Sequence, residues 1–122
     1  MKFAIIGAGV AGSYLGNILH NNGHEITIFE AYQKEKHWPV CAWGASKHML
    51  EHFSQRAGLE FKNYILHEGK RIIMELPDNK KESLELDGLV TYNKKQWEND
   101  LLKDIDIKFD TICKRDTFPI DK

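Results

Sequence analysis

Three glycines and one acid are the residues of this 122-residue chain whose types and spacing point most directly to chemistry. They are Gly7, Gly9 and Gly12, in Gly7-Ala8-Gly9-Val10-Ala11-Gly12, and Glu30, 23 residues after the first glycine. That is the spelling and spacing of a dinucleotide-binding turn. Each glycine has its own physical role. Gly7 permits a tight turn out of a strand. Gly9 lacks a side chain, so a pyrophosphate can approach the backbone N–H groups around Val10 and Ala11 at the positive end of a helix. Gly12, with Gly16 one turn later, lets that helix lie close to a sheet. The Glu30 carboxylate would accept hydrogen bonds from ribose hydroxyls and would repel a 2′-phosphate. The fingerprint therefore calls for the adenosine–pyrophosphate end of FAD or NAD on residues 7–30.

Such a site needs elements to hold it, and the surrounding sequence provides them. Residues 2–6 (KFAII) are a short apolar run, the pattern of a strand buried on both faces. A helix is expected from Val10 to about His20, closed by Asn21-Asn22-Gly23, with Gly23 where a C′ glycine would stand. Residues 24–30 alternate Ile26 and Ile28 with polar neighbours and read as a second strand. Residues 1–30 are thus a compact βαβ unit. Residues 31–46 read as irregular, and 45–57 as a helix ending at Gly58. Antiparallel strands are expected within residues 59–92, with turns at Gly69, at residues 77–82 and at Gly88. A helix over 93–103 follows, with Asn93 as N-cap and Gln96 as its capping-box partner, and Trp97 and Leu101 form its core face. Residues 105–113 close the chain with a last strand. After the first βαβ the order departs from a plain doubly wound NAD domain, which would continue helix, strand, helix, strand. The expected fold class is α/β: a Rossmann-like βαβ dinucleotide-binding unit with an appended antiparallel sheet, forming one incomplete FAD/NAD(P)-binding domain over residues 1–122.

Two other strings could carry chemistry. His48-Met49-Leu50-Glu51-His52 spells the inverted zinc-peptidase motif. On a helix, however, His48, Glu51 and His52 fall opposite an apolar face of Ser46, Met49, Leu50 and Phe53. A catalytic zinc also needs a cleft and a further ligand, so a solvated helix face is the better reading and no metal is expected. Cys41, in Trp38-Pro39-Val40-Cys41-Ala42-Trp43-Gly44, reads from composition as a buried free cysteine.

Composition narrows the function classes. With 17 Lys and Arg against 18 Asp and Glu, the net charge is −1, too balanced to demand nucleic acid. No stretch approaches the roughly 20 apolar residues of a membrane span, and glycines break the N-terminal apolar run that could pass for a targeting segment. The two cysteines have no framework spacing, so the expected setting is reducing and cytoplasmic.

Three segments, in order, resemble the N-terminal part of archaeal geranylgeranyl reductases, within the para-hydroxybenzoate hydroxylase-like flavoproteins. They are GAGVAGSYLG with Glu30, then PVCAWGAS, similar to a P-x-C-G-x-G loop, then TYNKKQWENDLL, similar to an R-x-x-F-x-x-x-L helix. Ala42 departs from the family's glycine, and Lys94 stands where that helix starts with arginine. The resemblance implies FAD as the cofactor, bound through Gly7, Gly9, Val10, Ala11, Gly12 and Glu30. It places Cys41 near the flavin ring, as a candidate for contact or catalysis. It further implies an oxidoreductase acting on an isoprenoid or similar apolar substrate. The alternatives are an NAD-binding dehydrogenase fragment and a non-catalytic nucleotide-binding or interaction module. Because the family's later Gly-Asp segment has no counterpart, the chain is expected to be an N-terminal piece. Alone, it is expected to bind FAD weakly or not at all, to catalyse nothing, and to self-associate through an exposed sheet edge.

Overall fold

The computed structural model describes residues 1–37, 41 and 43–114. The chain divides into two compact units, Met1–Pro39 with Trp97–Lys122, and Val40–Gln96. The first holds a parallel sheet of order β1-β2-β6, built from β1 (Lys2–Ile6), β2 (Glu25–Phe29) and β6 (Asp106–Lys108). Helix α1 (Val10–Asn21) connects β1 to β2. The second unit holds an antiparallel sheet of order β3-β5-β4, from β3 (Gly44–Ser46), β4 (Ile65–Glu75) and β5 (Lys81–Tyr92), with helix α2 (Lys47–Arg56) packed against it. Helix α3 (Lys94–Leu101) begins at the end of the second unit. The fold class is the expected α/β arrangement.

In the first unit the core is Ala8, Ile26, Ile28 and Leu102, with Phe3, Ile5, Leu19, Ile105 and Ile107 packed around it. The alternation in β2 does what it promised: Ile26 and Ile28 turn inward while Glu25 faces water. β1 differs from expectation. Phe3 and Ile5 are half-buried, but Ala4 and Ile6 are exposed, because among the described residues no element covers that face. α1 ends on a Schellman motif. Gly23 takes φ +81°, its N–H donates to the His20 carbonyl at 2.9 Å, and the His24 N–H donates to Leu19 at 3.2 Å. Trp97 and Leu101 are buried as their spacing suggested, and the Trp97 ring stacks on Tyr14 at 6.5 Å.

The second unit corrects several boundaries. Residues 44–46, expected as loop and helix start, are β3, paired with residues 89–91 of β5. Gly69 and Gly88 are not turns: β4 and β5 run straight past them as one long hairpin. The register shifts between Gly69 and Arg71, where Gly88 takes φ +75° in the strand opposite, so here the glycines mark a bulge. The chain reverses at Pro77–Asn79, where Asp78 and Asn79 adopt positive φ. On α2 the buried stripe is Leu50 and Ser54, continued by Ala57 just beyond the helix, while Met49, expected inside, is 48 % exposed. A polar residue, Ser54, occupies the innermost position, so counting apolar residues alone misplaced the face.

Candidate functional site

Gly7 leaves β1 with φ +94°, a left-handed conformation that favours glycine, and its N–H donates to the Phe29 carbonyl at 2.8 Å. The turn is thereby tied to the end of β2. Ala8 is fully buried and held at both ends: its N–H donates to Glu30 Oε2 at 2.8 Å, and its carbonyl accepts from Ser13 Oγ at 2.8 Å. Gly9 is the N-cap of α1, and the first turn has no acidic residue and no side-chain cap. The N–H groups of that first turn are therefore left without a side-chain acceptor.

The four glycines around this turn serve different ends, which adding a Cβ to each makes plain. At Gly12 it would collide with the Gly7 carbonyl oxygen, and at Gly16 it would press within 3.0 Å of Ile28 Cδ1 and 3.2 Å of Ile105 Cδ1. Those two glycines bring α1 onto the turn and the sheet. Gly7 is needed for its backbone conformation. At Gly9 a Cβ would meet nothing within 4 Å, and φ there is an ordinary −72°. The fold does not require a glycine at this position. The open space lies beside the uncapped N–H groups of Val10, Ala11 and Gly12, where an anion is best accommodated.

Glu30 sits at the end of β2, only 6 % exposed. Its Oε2 accepts from Ala8 N–H, its Oε1 from Tyr32 N–H at 2.9 Å, and His37 Nε2 lies 3.8 Å from Oε2. Burial pushes the carboxyl up, but N–H donation from Tyr32 and Ala8, the adjacent His37 and the Ala31 N–H outweigh it. The group titrates below the ordinary carboxylate value. Its backbone extends the pairing with β6: Glu30 N–H donates to Lys108 at 2.9 Å, and Thr111 N–H to Glu30 at 2.9 Å. A carboxylate has about four lone-pair sites, so the three backbone donors Ala8, Ala31 and Tyr32 leave room for one further donor. The glycine turn and Glu30 are thus brought together, and Ala8 N–H is the direct link between them.

Ser13 and His37 also belong to this constellation, though the fingerprint does not name them. Ser13, the fourth residue of α1 and fully buried, had a faint signal as a small polar residue one turn past the glycines. His37, edge-on to Phe109 at 6.0 Å, had none, since it follows an irregular segment. Cys41 is exposed, not buried as composition suggested, and its Sγ accepts from Trp43 N–H at 3.3 Å. It belongs to the second unit. Trp38, Pro39, Val40 and Ala42 of the cysteine loop lie outside the described residues. On α2, His48 and His52 are exposed and Glu51 is half-buried, and no group of three metal-ligating side chains occurs among the described residues.

No protein-family model matches the sequence, and no curated protein matches it. Solved structures do. A geranylgeranyl bacteriochlorophyll reductase-like protein from Thermoplasma acidophilum is similar over 92 % of this chain, with a TM-score of 0.67 at 16 % identity. FqzB is similar over 94 %, with a TM-score of 0.69 at 15 % identity. The chain shares their fold. A third neighbour is the myxobacterial chondrochloren halogenase CndH, a variant of FAD-dependent halogenases, similar over 89 % with a TM-score of 0.64 at 15 % identity. The chain spans about a third of the length of these proteins, covering 32 %, 29 % and 29 % of them respectively. No helix among the described residues is long and apolar enough to cross a membrane.

Proposed function

We propose that this chain binds the adenosine–pyrophosphate half of FAD, as the cofactor-binding part of a flavin-dependent oxidoreductase. The observation that carries the reading is the open face at Gly9: a glycine the fold does not need, beside a helix N-terminus that no side chain caps. The backbone N–H groups of Val10, Ala11 and Gly12 would hold the pyrophosphate. Glu30, fixed by Ala8 and Tyr32, would orient the adenosine ribose through its hydroxyls. Ser13 holds the turn in shape by fastening the Ala8 carbonyl. The bound flavin would supply hydride acceptance and delivery, chemistry that belongs to the cofactor.

FAD is preferred over NAD on two grounds. The chain shares its fold with an FAD-dependent halogenase, and its antiparallel strands follow directly on the first βαβ. An isoprenoid or similar apolar substrate fits the sequence resemblance and the name of the Thermoplasma neighbour. Cys41 belongs to this reading through the sequence resemblance, and its thiol is exposed.

The test compares two glycines under titration with FAD, NAD and ADP-ribose. Gly9→Val should fold like the parent and lose binding, because its side chain enters open space that the phosphates need. Gly12→Ala should instead lower stability by about 1–3 kcal/mol through overpacking against the Gly7 carbonyl. Undiminished FAD affinity in a folded Gly9→Val protein would overturn the assignment.

A further inference from the structure

β4 forms one edge of the antiparallel sheet, with β5 on one side and, among the described residues, no strand on the other. Past the bulge, the ladder between β4 and β5 is unbroken from Arg71 opposite Glu85 to Glu75 opposite Lys81. A regular unpaired edge of this kind is a template for another strand. Proline, a further bulge or a covering element would blunt it, and residues 71–75 have none among the described residues. They are exposed instead: Ile72 by 42 %, Ile73 by 53 % and Met74 by 37 %.

The order of side chains along this edge names its partner. Arg71-Ile72-Ile73-Met74-Glu75 is a cation, three apolar residues and an anion. A second copy related by a two-fold axis through Ile73 would run antiparallel to the first. It would set Arg71 opposite Glu75 of the other copy, Ile72 opposite Met74, and Ile73 opposite itself. Residues 71, 73 and 75 share one face and 72 and 74 the other, so each pair meets on a single face. No neighbouring symmetric register does as well. Moving the axis by one residue sets Arg71 or Glu75 against Ile73, and moving it by two sets Arg71 or Glu75 against itself. The chosen register also extends a charge pattern that already exists. Lys81 Nζ bonds Glu75 Oε1 at 2.8 Å, and Glu85 stands opposite Arg71. Across the joined strands one face would read Lys81, Glu75, Arg71, Glu85, alternating in sign.

We propose that β4 pairs with β4 of a second copy of this chain, joining two three-stranded sheets into one six-stranded antiparallel sheet. This surface is separate from the glycine turn, and its assignment does not depend on the cofactor.

Two measurements test it. Sedimentation velocity on the unmodified protein should show a concentration-dependent dimer, and hydrogen exchange should show the amides of residues 71–75 slowing as that dimer forms. Arg71→Glu and Glu75→Arg should each weaken self-association by about tenfold or more, since each turns two attractive pairs into repulsive ones. Mixing the two variants should restore association. In the mixed dimer the acid introduced at position 71 of one copy meets the base introduced at position 75 of the other, and the unchanged Glu75 meets the unchanged Arg71. Should a variant fail to fold, exchange in the unmodified protein decides alone. A protein that stays monomeric, or a dimer whose slowed amides lie in β1 or β6 instead, would overturn the proposal. So would variants that associate as well alone as together.

Discussion

Glu30 does two things at once, and the chemistry of its neighbours separates them. Its carboxylate holds the glycine turn by accepting from Ala8 and Tyr32 N–H, and under the proposed function it would also accept from ribose hydroxyls. Glu30→Gln removes the charge and turns an NH₂ group toward one of two N–H donors. It should therefore cost about 1–3 kcal/mol of stability at neutral pH as well as weakening the dinucleotide. The pH dependence follows from the direction of the shift. The folded carboxyl titrates below its ordinary value of about 4.3, so its contribution is complete above that value. It is lost as pH falls through the lower, folded value. Denaturation midpoints of parent and Glu30→Gln should differ at pH 7 and converge in strong acid. A constant gap throughout would show that the carboxylate is not what stabilises the turn. The acid itself was legible from its spacing to Gly7. Its bond to Ala8 was not, because a backbone donor leaves no trace in residue identity, and the same holds for His37, placed only by the fold.

At the scale of elements, what the sequence disclosed depended on how local the cause was. The ends of α1 and α2 were readable because a Schellman motif is written in one glycine: Gly23 and Gly58 both take positive φ and donate back to the helix. The start of α3 was readable for the same reason. Asn93 Oδ1 accepts from Gln96 N–H at 3.1 Å, although the Gln96 side chain meets Asn93 Nδ2 at 3.3 Å and the Asn93 N–H goes to Tyr64. Asn93→Ala should therefore cost about 1 kcal/mol in chemical denaturation, and Asn93→Ser should recover most of it. Equal losses in both would assign Asn93 some role other than capping. The hairpin was misread because its causes are not local. Gly69 and Gly88 look like turns in sequence, and only the pairing of β4 with β5 shows them to be one bulge. β3 is three residues long and exists through its partner, so no periodicity could reveal it.

For the whole molecule the question is how much of a dinucleotide this chain would grip under the proposed function. The proposed contacts are to the pyrophosphate, at the N-terminus of α1, and to the adenosine ribose, at Glu30. Both are shared by FAD, NAD, ADP-ribose and ADP. The proteins that share the fold are about three times as long. If affinity here comes from the shared half alone, FAD and ADP should bind within about tenfold of one another, a difference of about 1.4 kcal/mol. Gly9→Val should then remove both equally. Competition between FAD and ADP, followed by flavin fluorescence, measures the ratio directly. An FAD preference of about a hundredfold or more would mean that residues of this chain also hold the ribityl chain or the ring. Cys41, exposed in the second unit, would be the first residue to substitute in looking for them. Near-equal affinities would confine this chain's share of the work to anchoring the adenosine end, whatever the flavin then does.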